Sequence, residues 1–288
     1  MLDILITNHI AWMYLFLALG SLSIGSLLNL IIFRLPLMIK YEWQQQCCEL
    51  LQVKKKQKKH PIPFNLFFPR SQCPQCQALI SAWQNIPLIS YFVLKRRCYH
   101  CKQAISIRYP MIECLTMFLS VFACIHFGFS LKLVFVLPAL YLLICLIFID
   151  LDHHLLPDSL SLSLLWLGLI ANTQHLFCSI NEAIFGAVGG YLLLWLFINF
   201  YYLITGKRGM GHGDFKLFSA MGAWFGWILL GPMLLIACLS GAVVGLIYLY
   251  LNNKPKESHL AFGPFLCITA FVCLFWGNEL LLWYLTFF

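Results

Sequence analysis

The sequence predicts an all-α polytopic membrane protein, with about eight transmembrane helices and one small polar domain inserted between the first and the second. Composition is the first reason: of 288 residues, 61% are hydrophobic and only 10% charged, where a soluble domain carries about 25% charged residues. A mean hydropathy of +0.82 agrees. Segregation is the second: the apolar residues fall into long runs, each near the roughly 20 residues that cross a bilayer as a helix. The third is that most of the charge sits in one early stretch. Together these exclude disorder, a secreted disulfide scaffold and a nucleic-acid-binding domain.

Residues 10–33 are apolar or small throughout, and after Asp3 the next charge is Arg34. A polar stretch then lasts to about Tyr109. Further runs cover residues 111–129, 131–149, 160–173, 183–204, 215–230, 233–251 and 260–288. Helices are expected because they satisfy their own backbone hydrogen bonds in lipid. Gly231-Pro232 is expected to end the run at 215–230, and the run at 160–173 is short enough to need its flanks. The resulting organisation is residues 1–36 as a first transmembrane helix, 37–110 as a cytoplasmic insert and 111–288 as a multi-helix transmembrane core.

Thirteen of the 19 lysines and arginines lie in residues 34–108, opposed there only by Glu42 and Glu49. Cytoplasmic loops collect positive charge, so the insert is expected inside the cell and the N-terminus outside. Counting spans onward puts residues 150–159, 205–214 and 252–259 inside too, and two of these loops hold Lys207, Arg208, Lys254 and Lys256. The first run lacks the preceding basic residues of a cleaved signal peptide and is expected to stay as a membrane helix. The run Lys54-Lys55-Lys56-Gln57-Lys58-Lys59 is expected to be a solvated, topology-setting segment near the anionic headgroups of the lipid bilayer. Nucleic acid is not an expected partner, because interleaved aromatics and a binding fold are missing.

Within the insert, Cys73-Pro74-Gln75-Cys76 and Cys98-Tyr99-His100-Cys101 form two C-x-x-C knuckles separated by residues 77–97. The spacing matches structural zinc sites, in which two thiolates of each knuckle reach one tetrahedral ion. Zn2+ held by Cys73, Cys76, Cys98 and Cys101 would supply much of the folding free energy of so small a domain. A pair of disulfides is the competing assignment, and a cytosolic location disfavours it. The other nine cysteines lie mostly in apolar runs and read as packing.

Chemistry is expected from ionisable groups in the membrane core, which are costly there and tend to be functional. Asp150 ends the apolar run of residues 142–149 and opens Asp150-Leu151-Asp152-His153-His154-Leu155-Leu156-Pro157-Asp158. Asp214 ends Gly209-Met210-Gly211-His212-Gly213-Asp214 and starts the next run. On the topology above, both aspartates stand at the cytoplasmic mouth of the helix bundle and can face each other across it. Two carboxylates in a dry setting share a proton. One can then act as base on a water while the other polarises a scissile carbonyl. Gly211 and Gly213 let the backbone turn and leave room for an extended peptide. Asp158 reads as a helix cap or first-turn acid, and a structural ion pair for the two acids would need a cation, of which Lys216 is the nearest in sequence. Lys216 can equally orient the loop.

These residues and their order resemble the type IV prepilin peptidases, the leader peptidase/N-methyltransferases of the Gly-x-Gly-Asp class of intramembrane aspartic proteases. The pieces are Gly25-Ser26-Leu27-Leu28-Asn29 leading to Arg34-Leu35-Pro36, both knuckles, Asn85-Ile86-Pro87-Leu88-Ile89-Ser90-Tyr91, and Arg108-Tyr109-Pro110 with Glu113. Asp150 leading to Leu156-Pro157-Asp158, Gly209-Met210-Gly211-His212-Gly213-Asp214-Phe215-Lys216 and Phe262-Gly263-Pro264-Phe265 complete it. The resemblance implies that Asp150 and Asp214 are the catalytic pair, with Gly211, Gly213 and Lys216 supporting the loop. It implies that the substrates are prepilins of type IV pili and pseudopilins of type II secretion, whose basic leader is cut on the cytoplasmic face of the bacterial inner membrane. It also implies methylation of the new N-terminal residue with S-adenosylmethionine as methyl donor. Lys95-Arg96-Arg97 departs from the family, whose members often carry glycine just before the second knuckle.

Two other classes use the same residues differently. A proton-coupled transporter could run a relay through the two aspartates, and a non-enzymatic assembly factor of the pilus or secretion machinery could use the cysteine domain for docking. A zinc intramembrane protease would need a His-Glu-x-x-His helix, and no histidine is followed by glutamate.

Overall fold

The structure is a computed structural model and describes residues 2–52, 65–66, 68, 70–73, 75–206, 209–252 and 261–286. The lysine run at residues 54–59 and the loop cations Lys207, Arg208, Lys254 and Lys256 lie outside the described residues. The chain divides into two compact units, Met1–Ile125 and His126–Phe288. Every apolar run is helical, and among the described residues the only pairing of extended chain is two isolated bridges, Gln72 with Leu79 and Arg97 with Ala104.

In the first unit, α1 (Leu2–Leu50) does not stop where the apolar run does. Residues 34–50 are dominated by leucine, methionine, lysine, glutamate and glutamine, all good helix formers, so the helix continues into the polar region. Buried Arg34 donates to the carbonyls of Asn65 and Leu66 at 3.0 and 3.2 Å. A 3-10 turn (Ala82–Asn85) and a short helix α2 (Ile89–Val93) precede α3 (Arg108–Phe127). Three pieces that are separate in sequence meet here. A Cβ on Gly25 would stand 2.8 Å from the Cα of Glu113, so α1 meets α3 backbone to backbone. Asn29 donates to the Tyr109 carbonyl at 3.0 Å, and the buried Glu113 carboxylate accepts the Leu88 N–H at 2.9 Å.

The second unit contains α4 (Leu131–His153), α5 (Asp158–Thr173), α6 (Ile180–Thr205), α7 (His212–Phe225), α8 (Leu230–Asn252) and α9 (Gly263–Leu285). Six helices, α1, α3, α4, α6, α8 and α9, are long and apolar enough to cross a membrane. With 16 and 14 residues, α5 and α7 reach about 24 and 21 Å at 1.5 Å per residue, short of the roughly 30 Å hydrocarbon layer. The break after α7 also falls earlier than expected. Gly226, at φ +76°, ends the helix, whereas Gly231-Pro232 lies in the first turn of α8, where proline has no intrahelical bond to lose.

Helix α7 is the centre of this unit, buried continuously from Leu217 to Phe225. Against α6 it packs through glycine: a Cβ on Gly222 would collide with the Gly186 carbonyl, and one on Gly186 with the Gly222 carbonyl. Such small-residue contacts let helices approach closely where lipid offers no hydrophobic drive. Ser219 donates to the Ala187 carbonyl at 2.7 Å across the same seam. Towards α5, the Trp224 indole covers Gly168 and donates to the Leu164 carbonyl at 2.9 Å. Large apolar side chains such as Phe185, Leu203, Leu239 and Leu246 are exposed while Ser161, Asn172 and Thr269 are buried. This inverts the soluble pattern and marks a chain that spans a bilayer several times.

Asn172 is the polar lock of the unit. Its amide donates to the carbonyls of Ala223 and Trp224 at 2.8 and 3.0 Å, and its carbonyl accepts the N–H groups of Phe177 and Cys178 at 3.1 and 3.2 Å. Asn172→Ala strands these partners in the interior and is expected to cost about 2 kcal/mol. A lowered thermal midpoint of the detergent-solubilised protein would register the loss.

Candidate active site and metal centre

The two C-x-x-C turns carry the same hydrogen bonds. The N–H of the first cysteine reaches the carbonyl five residues on, Cys73 to Ala78 at 2.9 Å and Cys98 to Gln103 at 2.8 Å. The N–H after the second cysteine returns to the first, Gln77 to Cys73 at 2.9 Å and Lys102 to Cys98 at 3.1 Å. Both returning residues are left-handed, with φ of 56° and 58°, a strained conformation for a side chain that the turn over the sulfurs requires. Lys95 and Arg96 are left-handed as well, at φ 49° and 62°. That gives a physical reason for glycine in this stretch of the family.

The four sulfurs all lie within 4.8 Å of one another. A tetrahedron with zinc–sulfur bonds of about 2.3 Å has sulfur–sulfur edges of about 3.8 Å, and Cys73 and Cys101 are 3.8 Å apart. The cluster is therefore compatible with one structural zinc ion, and His100 is not part of it. The backbone N–H of Cys76, with that of Gln75, pulls the Cys73 thiol down to about 7. Cys101 is pushed up to about 11: the Gln103 amide lowers it, but lost hydration and the three neighbouring sulfurs outweigh that. A metal has to displace the protons from these thiols, so its affinity should weaken as the pH falls. Cys73→Ser should reduce metal content from one ion per chain to near none, read by elemental mass spectrometry. Unchanged content would rule out this cage.

The second unit brings Asp150 and Asp214 together from different helices. Asp150, buried, is in the last turn of α4, which ends when His154 turns left-handed at φ 50° with its N–H on the Asp150 carbonyl at 2.9 Å. Asp214, half-buried, is in the first turn of α7, and its carboxylate reaches back to the Gly211 amide at the N-cap. Each carboxylate acts electrostatically on the other and on the buried Cys267 thiol. The Gly263 amide, at the start of α9, hydrogen-bonds Asp150. The N-termini of α7 and α9 thus direct their partial positive charge to the two acids. A Cβ on Gly263 would stand 2.5 Å from Asp150 Oδ2, so this approach requires glycine.

No lysine or arginine pairs with either acid among the described residues. Lys216 instead holds both oxygens of Asp158 at 2.7 Å. Asp158 is the first-turn acid of α5, with Pro157 as its cap. Gly211 is the N-cap of α7, and Gly213 gives room to Leu156. Leu156, Gly263 and Cys267 were not singled out as site residues from the sequence. Leu156 and Gly263 stood only within motifs of the family resemblance, and Cys267 carried no signal, since their contacts are made through space.

Fold and site together define a polytopic helical membrane protein with a paired-carboxylate centre and a four-cysteine cluster compatible with zinc. Residues 19–127 match the Bacterial Peptidase A24 N-terminal domain, and residues 135–246 match the Type IV leader peptidase family. Three relatives share the name prepilin leader peptidase/N-methyltransferase. One from Legionella pneumophila is 54% identical over 99% of this chain and 99% of its own length. One from Stutzerimonas stutzeri is 44% identical over 99% and 98% of the two chains, and one from Pseudomonas aeruginosa 43% identical over 100% and 98%. No solved structure matches the chain significantly. The chain belongs to the type IV leader peptidase family. Neither the transporter nor the assembly-factor assignment draws support from these relatives.

Proposed function

We propose that this protein removes the short basic leader of type IV prepilins and of type II secretion pseudopilins, with Asp150 and Asp214 as the catalytic pair, and then methylates the new N-terminal residue. The observation that carries it is the meeting of these two acids at helix ends with no lysine or arginine counter-ion among the described residues. Membership of the leader peptidase family and full-length likeness to named leader peptidase/N-methyltransferases support the same conclusion.

In the first step one carboxylate takes a proton from a water, and the resulting hydroxide adds to the scissile carbonyl. The second carboxyl, protonated, hydrogen-bonds the carbonyl oxygen and stabilises the charge that develops there. A proton then passes to the leaving amine as the carbon–nitrogen bond breaks. Gly211 keeps the start of α7 open to an extended chain, whereas the space beside Gly213 is taken by Leu156. Lys216, held by Asp158, fixes the start of α7. S-adenosylmethionine serves as the substrate that donates the methyl group, a reading supported by the N-methyltransferase name of the relatives.

Positive charge in residues 34–108 supports a cytoplasmic insert, a periplasmic N-terminus and an active site that faces the cytoplasm from the inner membrane. Residues 37–110 would form the insert, fastened by zinc on Cys73, Cys76, Cys98 and Cys101, after a first span in residues 1–36. Residues 111–288 would form the peptidase core. The purified full-length protein, given a synthetic prepilin peptide and the methyl donor, should yield the leader-free peptide and its methylated form by mass spectrometry. An intact peptide would overturn the assignment, and cleavage without methylation would overturn its second half.

A further inference from the structure

We propose that Leu156 is a positioning residue, a forked wedge that sets the gap between Asp150 and Asp214; this rests on those two acids being the catalytic pair. Leu156 is buried in the connection between α4 and α5. Its Cβ and Cδ1 lie 2.8 and 3.4 Å from where a Cβ on Gly213 would stand. Its other methyl, Cδ2, lies 3.1 Å from where a Cβ on Gly263 would stand. Gly213 immediately precedes Asp214, and the Gly263 amide holds Asp150. One isobutyl group therefore touches the backbone beside one acid and the backbone that grips the other.

The wedge is held from both ends by the same two helices. Upstream, the His154 N–H is tied to the carbonyl of Asp150 itself at 2.9 Å. Downstream, Pro157 fixes the chain at φ −61° and Asp158 is clasped by Lys216, two residues past Asp214. Branching at Cγ is what lets one methyl face each glycine. An alanine would lose both methyls, emptying the contact at Gly263 and keeping only the Cβ against Gly213, and an unbranched methionine would restore volume without the fork. Both glycines are needed for the wedge to enter, which ties Gly213 and Gly263 to Leu156 rather than to backbone freedom alone.

Cleavage of a synthetic prepilin peptide by purified full-length enzyme tests this in Leu156→Ala and Leu156→Met. Misplacement of reacting groups by an ångström costs about 100-fold, so kcat of Leu156→Ala should fall by about 10- to 100-fold. KM should change by less than about threefold, because the wedge acts on the acids rather than on the peptide. Leu156→Met should recover part of the rate. Unchanged kcat, or a rise confined to KM, would overturn the wedge. If Leu156→Ala cannot be purified folded, the kcat of Leu156→Met carries the test, and a wild-type value there overturns it. Asp150→Asn and Asp214→Asn run alongside separate the two claims. If either cleaves normally, the catalytic pair is wrong; if both are inert while Leu156→Ala is fully active, only the wedge is.

Discussion

Exchanging Asp214 for asparagine is expected to slow leader cleavage by at least about 10³-fold, because a group that accepts or donates the transferred proton contributes on the order of 10²–10⁴ and acts as a unit with its partner. Asparagine keeps the shape and one acceptor oxygen, so the bond from the Gly211 amide and the start of α7 should survive. Asp150→Asn should behave alike, with the Gly263 amide still satisfied by the amide oxygen. The double variant should be little worse than either single one, since removal of one acid already disables the pair. Peptide cleavage by the purified variants, beside their thermal midpoints, checks all of this. Residual activity within about tenfold of wild type, with folding intact, would exclude the shared-water chemistry.

Gly222→Val is expected to destabilise the protein by about 4 kcal/mol, at the upper end of what overpacking costs. A Cβ at this position meets the Gly186 carbonyl and its neighbouring backbone rather than the tip of a movable side chain. Relief would require α6 and α7 to separate along their whole contact, which also draws in Ser219 at Ala187 and Gly190 at Phe218. Gly189 provides the contrast. It lies in the same helix with nothing within 4 Å of its would-be Cβ, so Gly189→Ala should be neutral or gain up to about 1 kcal/mol of helix propensity. At 2–4 °C per kcal/mol for a chain somewhat smaller than this one, Gly222→Val should lower the thermal midpoint by roughly 10 °C in detergent. A midpoint within about 2 °C of wild type would show that the seam yields.

What could be read in the sequence was what is written in order along it. Uninterrupted apolar length marks a helix in lipid, so each run became one. The two C-x-x-C pairs announced a cage because a chelating turn has a fixed residue count. Asp150 and Asp214 stood out because a carboxylate beside an apolar run is costly unless it is used. Contacts across space left no such trace. Leu156 has the composition of any apolar residue near a helix end, and its meaning appears only when Gly213 and Gly263 are found on either side of it. The end of α7 was misplaced for a related reason. Gly231-Pro232 is a strong breaker by local rules, but a helix start accepts proline, and Gly226 at φ +76° had already closed the preceding element. The continuation of α1 to Leu50 was hidden by polarity: charge ends a membrane span without ending a helix.

The glycine seam between α6 and α7 also decides how far Asp214 can move. With main chain against main chain and no side chain between to flex, the two helices cannot slide without atoms colliding, so Asp214 rides on a stiff mount.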